Sequence, residues 1–267
     1  MDNGQTTATK AGWLERTFHF KELKTNTKRE TVAGLTTFVS MAYILFVNAN
    51  ILGEAGMDKG AVFTATALSA IIGCTLMAFL ANYPIGIAPG LGDNAFFTYS
   101  VVLTMGIPWQ TAMAGVVVAS VIFTLLSLFK IREIVIDAIP HDLKLAMAAG
   151  IGIFIAFVGL KGGGIVVASK SSLVELGSLT VPTTWLTIFG FFVTALLMAR
   201  RVPGSIFIGI LATTLLGLVT GLIPMPDKIV SSIPSLAPTF GVGLANLGNI
   251  NTPQMLAVII VLLLVTF

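Results

Sequence analysis

The sequence predicts an all-α polytopic membrane protein whose third span is half strand, half helix. Three observations predict it. Of 267 residues, 55% are hydrophobic and only 10% are charged. The mean hydropathy is +0.95, and a soluble domain would carry about 25% charged residues. Apolar runs of span length recur along the chain, with short polar turns between them. Finally, residues 83–97 (YPIGIAPGLGDNAFF) stand where a span should run, yet two prolines and three glycines interrupt them.

Taken in order, residues 1–30 form a polar tail. Inside it, WLERTFHF at 13–20 mixes aromatic and charged residues, as an interfacial helix would. No cleavable signal peptide is expected there, so the first span directs insertion. Spans are expected at 31–52, 61–81, 84–105 and 109–129. The charged loop 130–144 contains Pro140 and is expected to be partly helical along the interface. A short fifth span, rich in Gly and Ala, covers 145–160, and a loop opened by Gly162, Gly163 and Gly164 covers 161–182. Spans six and seven follow at 183–199 and 206–223, then a longer external loop at 224–253. The eighth apolar run, 254–267, would reach only about 21 Å as a helix against a core of ~30 Å. The expectation is a fragment cut in mid-span.

Charge sets the expected sidedness. With the N-terminus in the cytoplasm, Lys59, Lys161, Lys170 and Lys228 lie outside, and the other eleven of the 15 basic residues lie inside. That asymmetry is the positive-inside pattern. The pI near 9.1 is therefore loop charge and implies no nucleic-acid partner. Cys74 is the sole cysteine, which excludes an intramolecular disulfide and a Cys-based metal cluster; it reads as a small buried apolar residue. Nucleophile-elbow, zinc-helix and Walker motifs are absent, and both histidines fall at expected interfaces. Nothing calls for a cofactor or a metal, and the chain is not read as an enzyme. A channel would need a ring of pore charges, and none is visible.

The break at 83–97 is where chemistry is expected. A roughly 16 Å extended piece plus a half-helix of about 20 Å would cross a bilayer. Backbone left open cannot face lipid, so it must line a protein-walled cavity. Discontinuous spans of this kind mark the binding sites of secondary transporters. Asp93, the one acidic residue inside a span, or Asn94 is expected to cap the half-helix near the membrane midplane. Capping alone would explain Asp93. The open N–H groups of the first turn would carry the positive helix end, suited to a planar, acceptor-rich ligand such as an oxopurine. The Asn94 amide matches a purine edge, flanked by Gly92 and Ala95. Phe96 or Phe97 either stacks on the ligand or packs in the core. In the first span Thr36, Ser40 and Tyr43 share one face, as cavity lining or as interhelical hydrogen bonds. That span also holds Thr37, Asn48 and Asn50.

At these residues the sequence resembles the azaguanine-type guanine/hypoxanthine permeases, a branch of the nucleobase–cation symporters. TTFVSMAYIL at 36–45 looks like their first-span signature, and APGLGDNAFF at 88–97 is similar to their third-span motif. GAVFTATA at 60–67 and PSLAPTF at 234–240 also fit. The resemblance implies the first seven-span repeat of a 7+7 inverted-repeat transporter fold. Residues 31–129 would then be half of the core domain and 145–223 half of the gate domain. It implies purine import by proton symport in a plasma membrane, with Asn94 matching the family asparagine implicated in purine binding. The remaining acidic motifs of the family would lie beyond Phe267. A homodimer is one arrangement this architecture allows, and a uracil, xanthine or anion carrier would share it. Two positions depart from the pattern: Asp93 stands where leucine is usual, and Ala49 where proline is usual.

Overall fold

The computed structural model describes residues 13–20, 22–129, 131–169, 172–225, 232–250 and 253–266. The first twelve residues of the tail, with Lys21, Lys130, Lys170 and Lys228 of the charge count, lie outside the described residues. A short helix, α1 (Trp13–Phe18), opens the chain. Its Trp13 and Phe18 rings lie 6.4 and 5.7 Å from Phe79, and His19 Nδ1 is 3.4 Å from Asn82 Nδ2. The interfacial segment thus clasps the far end of the second span.

The first span is two helices, α2 (Thr27–Met41) and α3 (Tyr43–Glu54), joined at Ala42. Asn26 caps α2 by accepting from Arg29 N, and Asp58 caps α4 (Lys59–Leu76) by accepting from Ala61 N. Such caps stabilise a helix start by about 1 kcal/mol. The chain then widens into a π-turn at Met77–Ala81, which ends on Asn82 in the left-handed region. Residues 82–90 are non-helical. The third span resumes as α5 (Leu91–Ala95) and continues as a π-helix, Phe96–Thr104. Next come α6 (Trp109–Leu128), the short α7 (Ile131–Ala138) and α8 (His141–Gly162), which starts directly after Pro140.

The stretch expected as a plain loop at 161–182 contains an antiparallel hairpin, β1 (Val166–Ser169) with β2 (Leu173–Leu176). The VVAS and LVEL runs are β-formers, and the glycines before them do not prevent pairing. Two packed helices follow, α9 (Pro182–Ala199) and α10 (Ser205–Val219), then α11 (Val242–Ala245) and α12 (Pro253–Thr266).

Five helical stretches are long and apolar enough to cross a membrane: Thr27–Glu54, Lys59–Ala81, Trp109–Leu128, His141–Gly162 and Pro182–Ala199. Ser205–Val219 and Pro253–Thr266 are shorter apolar helices. The protein is a multi-pass membrane protein. Its buried core joins α3, α4, the π-helix, α6 and α12 through Ala49, Val62, Phe97, Val101, Ala112, Met255 and Val258. In contrast, α8 buries none of its residues, and Ile153, Phe191 and Leu215 stand exposed. In a bilayer these faces meet lipid or further protein.

Helix pairing relies on small residues. On α9, Gly190 and Thr194 are one turn apart, and on α10 so are Gly209 and Thr213. A Cβ on Gly190 would sit 3.3 Å from Thr213 Cβ, and one on Gly209 would sit 3.0 Å from Thr194 Cβ. Each glycine receives the threonine opposite it, which lets the backbones approach closely. Gly209→Leu is expected to destabilise this pair by about 1–3 kcal/mol through overpacking. A lower melting temperature in detergent is the readout, with the exposed Leu211→Ala as the unaffected control.

Candidate functional site

The site is built around the break in the third span. Residues 82–90 run between α2 and α4. Cys74 on α4 holds them: its Sγ accepts from Ile87 N at 3.1 Å and lies 3.5 Å from Ile87 O. The cysteine expected as a mere apolar filler is half-buried and binds backbone. Gly86 lies against α2, where an added Cβ would meet Met41 Sδ at 2.8 Å and Thr37 Cγ2 at 3.0 Å. The segment forms no β ladder here, and Ile85 N bonds only locally, to Tyr83 O at 2.9 Å.

The half-helix starts earlier than the sequence implied. Gly90 is its N-cap (φ −71°, ψ 110°), and neither Asp93 nor Asn94 caps it. Asp93 lies instead in the first turn, its Oδ2 3.0 Å from where a Gly90 Cβ would be. Glycine tolerates the helical turn once tertiary packing supports it, so Leu91 and Gly92 join the helix. Gly92 faces α8, where its Cβ would meet Ile151 Cγ2 at 3.0 Å. Asn94 N donates to Gly90 O at 3.2 Å. With no side-chain cap, the N–H groups of Leu91, Gly92 and Asp93 have no protein acceptor among the described residues.

Asn94 is tied into a relay across three spans. Its Nδ2 donates to Asn48 Oδ1 on α3 at 2.5 Å, and Asn48 Nδ2 donates to Thr66 Oγ1 on α4 at 2.8 Å. Thr66 donates onward to Val62 O at 2.7 Å. Asn48 and Thr66 are buried, and Asn94 is half-buried. The other expected site residues divide. Ser40 Oγ bonds its own helix at Thr36 O (2.8 Å), and Tyr43 is half-buried. Ala95 is buried in the core, and Phe96 packs partly against that core. Among the described residues no cluster of His, Cys, Asp or Glu could hold a metal. The apolar grooves on α6 near Val121 and between α9 and α10 near Trp185 touch none of these groups.

A family described as the permease family matches residues 28–267. The chain belongs to the permease family. It is similar to the guanine/hypoxanthine permease PbuG of Bacillus subtilis, with 52% identity over 94% of this chain and 59% of that relative. It is also similar to the adenine permease AdeP of Escherichia coli K12, with 42% identity over 92% of this chain and 57% of that relative. A second guanine/hypoxanthine permease of B. subtilis, PbuO, is 48% identical over 76% of the chain and 48% of its own length. The chain thus spans about half the length of the curated relatives it matches. Membership places it among permeases, not enzymes.

In the sequence, Asn48 stands among the polar residues of the first span, and nothing there gives Thr66 a role. Both sit in apolar runs, and a buried carboxamide must find partners. Only the fold names the partners, Thr66 and Asn94. The Cys74 contact yields a test, because Cys74 is the sole cysteine of the sequence. On α4, an added Cβ at Gly73 would meet Ile87 Cγ2 at 3.1 Å, so Gly73→Leu is expected to push the non-helical segment off α4 and free the Cys74 thiol. Maleimide labelling of Cys74 should then be several-fold faster than in the wild type.

Proposed function

We propose that this chain is the N-terminal part of a secondary transporter that imports purine nucleobases of the guanine, hypoxanthine and adenine class by proton symport. The observation that carries the reading is the half-helix terminus at mid-span. There, three open N–H groups and the half-buried Asn94 belong to one helical turn that follows a non-helical segment. The open N–H groups of Leu91, Gly92 and Asp93 suit acceptor atoms of a purine, such as a 6-oxo group or an unprotonated ring nitrogen. Asn94 supplies an amide for the ring edge, and the half-buried Phe96, two residues on, and Tyr43 of the first span are the rings that would stack on the base. The names carried by similar proteins, guanine/hypoxanthine and adenine permeases, support the substrate class.

The arrangement also suits alternating access. The first turn of α5 rests on Ile151 of α8, so the site lies where spans one to four meet span five. Sliding one group past the other would carry the ligand from one side to the other. Contacts between span ends match the grouping of ends that alternating spans imply. Glu54 and Lys161 approach to 3.9 Å, and Thr64 bonds Pro234 O at 3.0 Å, joining ends assigned outside. His19 meets Asn82, joining ends assigned to the cytoplasm. In this reading a second seven-span repeat supplies the opposite jaw, a strand beside residues 82–90, and the carboxylates for proton coupling. Gly92, Asp93 and Ser40 border the ligand through backbone or packing, and the buried Ala95 packs behind them.

Radiolabelled hypoxanthine uptake by cells expressing the full-length protein tests this. Uptake should collapse with a protonophore, and Asn94→Ala should raise KM at least about tenfold, the loss of one hydrogen bond to a buried polar ligand. Uptake and affinity unchanged by Asn94→Ala would overturn the site.

A further inference from the structure

The directions of the hydrogen bonds around Asn94 follow from one backbone carbonyl. Val62 O can only accept, so Thr66 must direct its single hydroxyl proton there (2.7 Å). The Thr66 oxygen is then left as an acceptor, and Asn48 must turn its Nδ2 toward it (2.8 Å). That turn leaves Asn48 Oδ1 toward Asn94, which must answer with its own Nδ2 (2.5 Å). Asn48 is 3% exposed and Thr66 4%, so water offers neither an alternative partner. The amide of Asn94, half-buried and on the fourth residue after Gly90, is therefore held with Oδ1 turned away from α3.

We propose that Asn48 and Thr66 are positioning residues that fix Asn94 as a hydrogen-bond acceptor toward the transported base. The consequence is selection of a nucleobase with a ring N–H at that point. This rests on the reading of Asn94 as a substrate contact. Neither positioning residue touches the base. Without the relay, the Asn94 amide could turn over, because its oxygen and NH2 group have nearly the same shape. A 6-oxopurine and a 6-aminopurine present opposite patterns at ring position 1 and its exocyclic neighbour. The former has N1–H beside a carbonyl, and the latter a bare N1 beside an NH2. An amide that cannot turn over distinguishes them, and one that can turn accepts either. Sites built around a fixed polar partner reject a mismatched ligand far more strongly than apolar pockets reject a change of size.

The experiment is competition of radiolabelled hypoxanthine uptake by unlabelled hypoxanthine and adenine, in cells expressing the full-length protein. The wild type should prefer hypoxanthine by at least about tenfold, the scale of one mispaired buried hydrogen bond. Thr66→Val keeps the shape and removes the hydroxyl, and should bring the ratio of inhibition constants below about threefold. Thr66→Ser should restore it, and Asn48→Leu should behave like Thr66→Val. A merely structural role would lower transport while leaving the ratio intact. A wild-type ratio near one or favouring adenine, or an unchanged ratio in Thr66→Val at normal membrane abundance, would overturn the proposal. So would failure of both Thr66→Val and Asn48→Leu to reach the membrane, which would make the relay a folding element. If no purine competes in the wild type, the transport reading itself fails, which is a separate outcome.

Discussion

A bilayer offers no water to an open peptide group, and the non-helical stretch at 82–90, set between apolar helices, runs against that constraint. Helices satisfy their own backbone. This segment cannot. Pro84 and Pro89 bring no N–H, Ile85 N bonds Tyr83 O, and Ile87 N bonds the Cys74 thiol. Gly86, Ala88 and Gly90 keep N–H groups without a protein acceptor among the described residues. Each such group costs several kcal/mol in hydrocarbon, so the segment must border protein or a wet cavity. The surrounding layout answers to that demand, with α2 and α4 flanking the segment and α8 closing on Gly92.

The relay from Asn94 through Asn48 to Thr66 is the polar counterpart of this arrangement. It ties the restart of the third span to the first and second spans. A pair of carboxamides at low dielectric is costly when half-satisfied and rigid when complete. Here the ladder ends on a helix carbonyl, so each of its three hydrogen bonds has an assigned direction. The apolar packing of α12 against α6, with Met255 lying on Gly115, supports the same region from the other side.

Much of the fold was legible because the membrane imposes length and composition on every span. Proline and glycine marked the break, and the charges marked the loops. The failures came where local signals compete. Gly90-Leu91-Gly92 looked like a helix breaker, yet packing against Ile151 starts the helix at Leu91. The glycine-led loop at 161–182 hid a hairpin, because VVAS and LVEL are too short to stand out among apolar spans. Cys74 gave no sign of its hydrogen bonds, since thiols usually pack as small hydrophobes.

By itself the sequence determined that the chain spans a membrane many times, that its third span is broken, and that Asn94 lies at the break. Those are properties of composition and spacing, and they survive any arrangement of neighbours. Tertiary structure alone decided which groups meet. It placed Asn48 and Thr66 on Asn94, and the Cys74 thiol on Ile87, across gaps of 13 to 46 residues in sequence. It also turned the amide of Asn94, because a hydrogen bond's direction depends on what its partner can accept, and that partner belongs to another span.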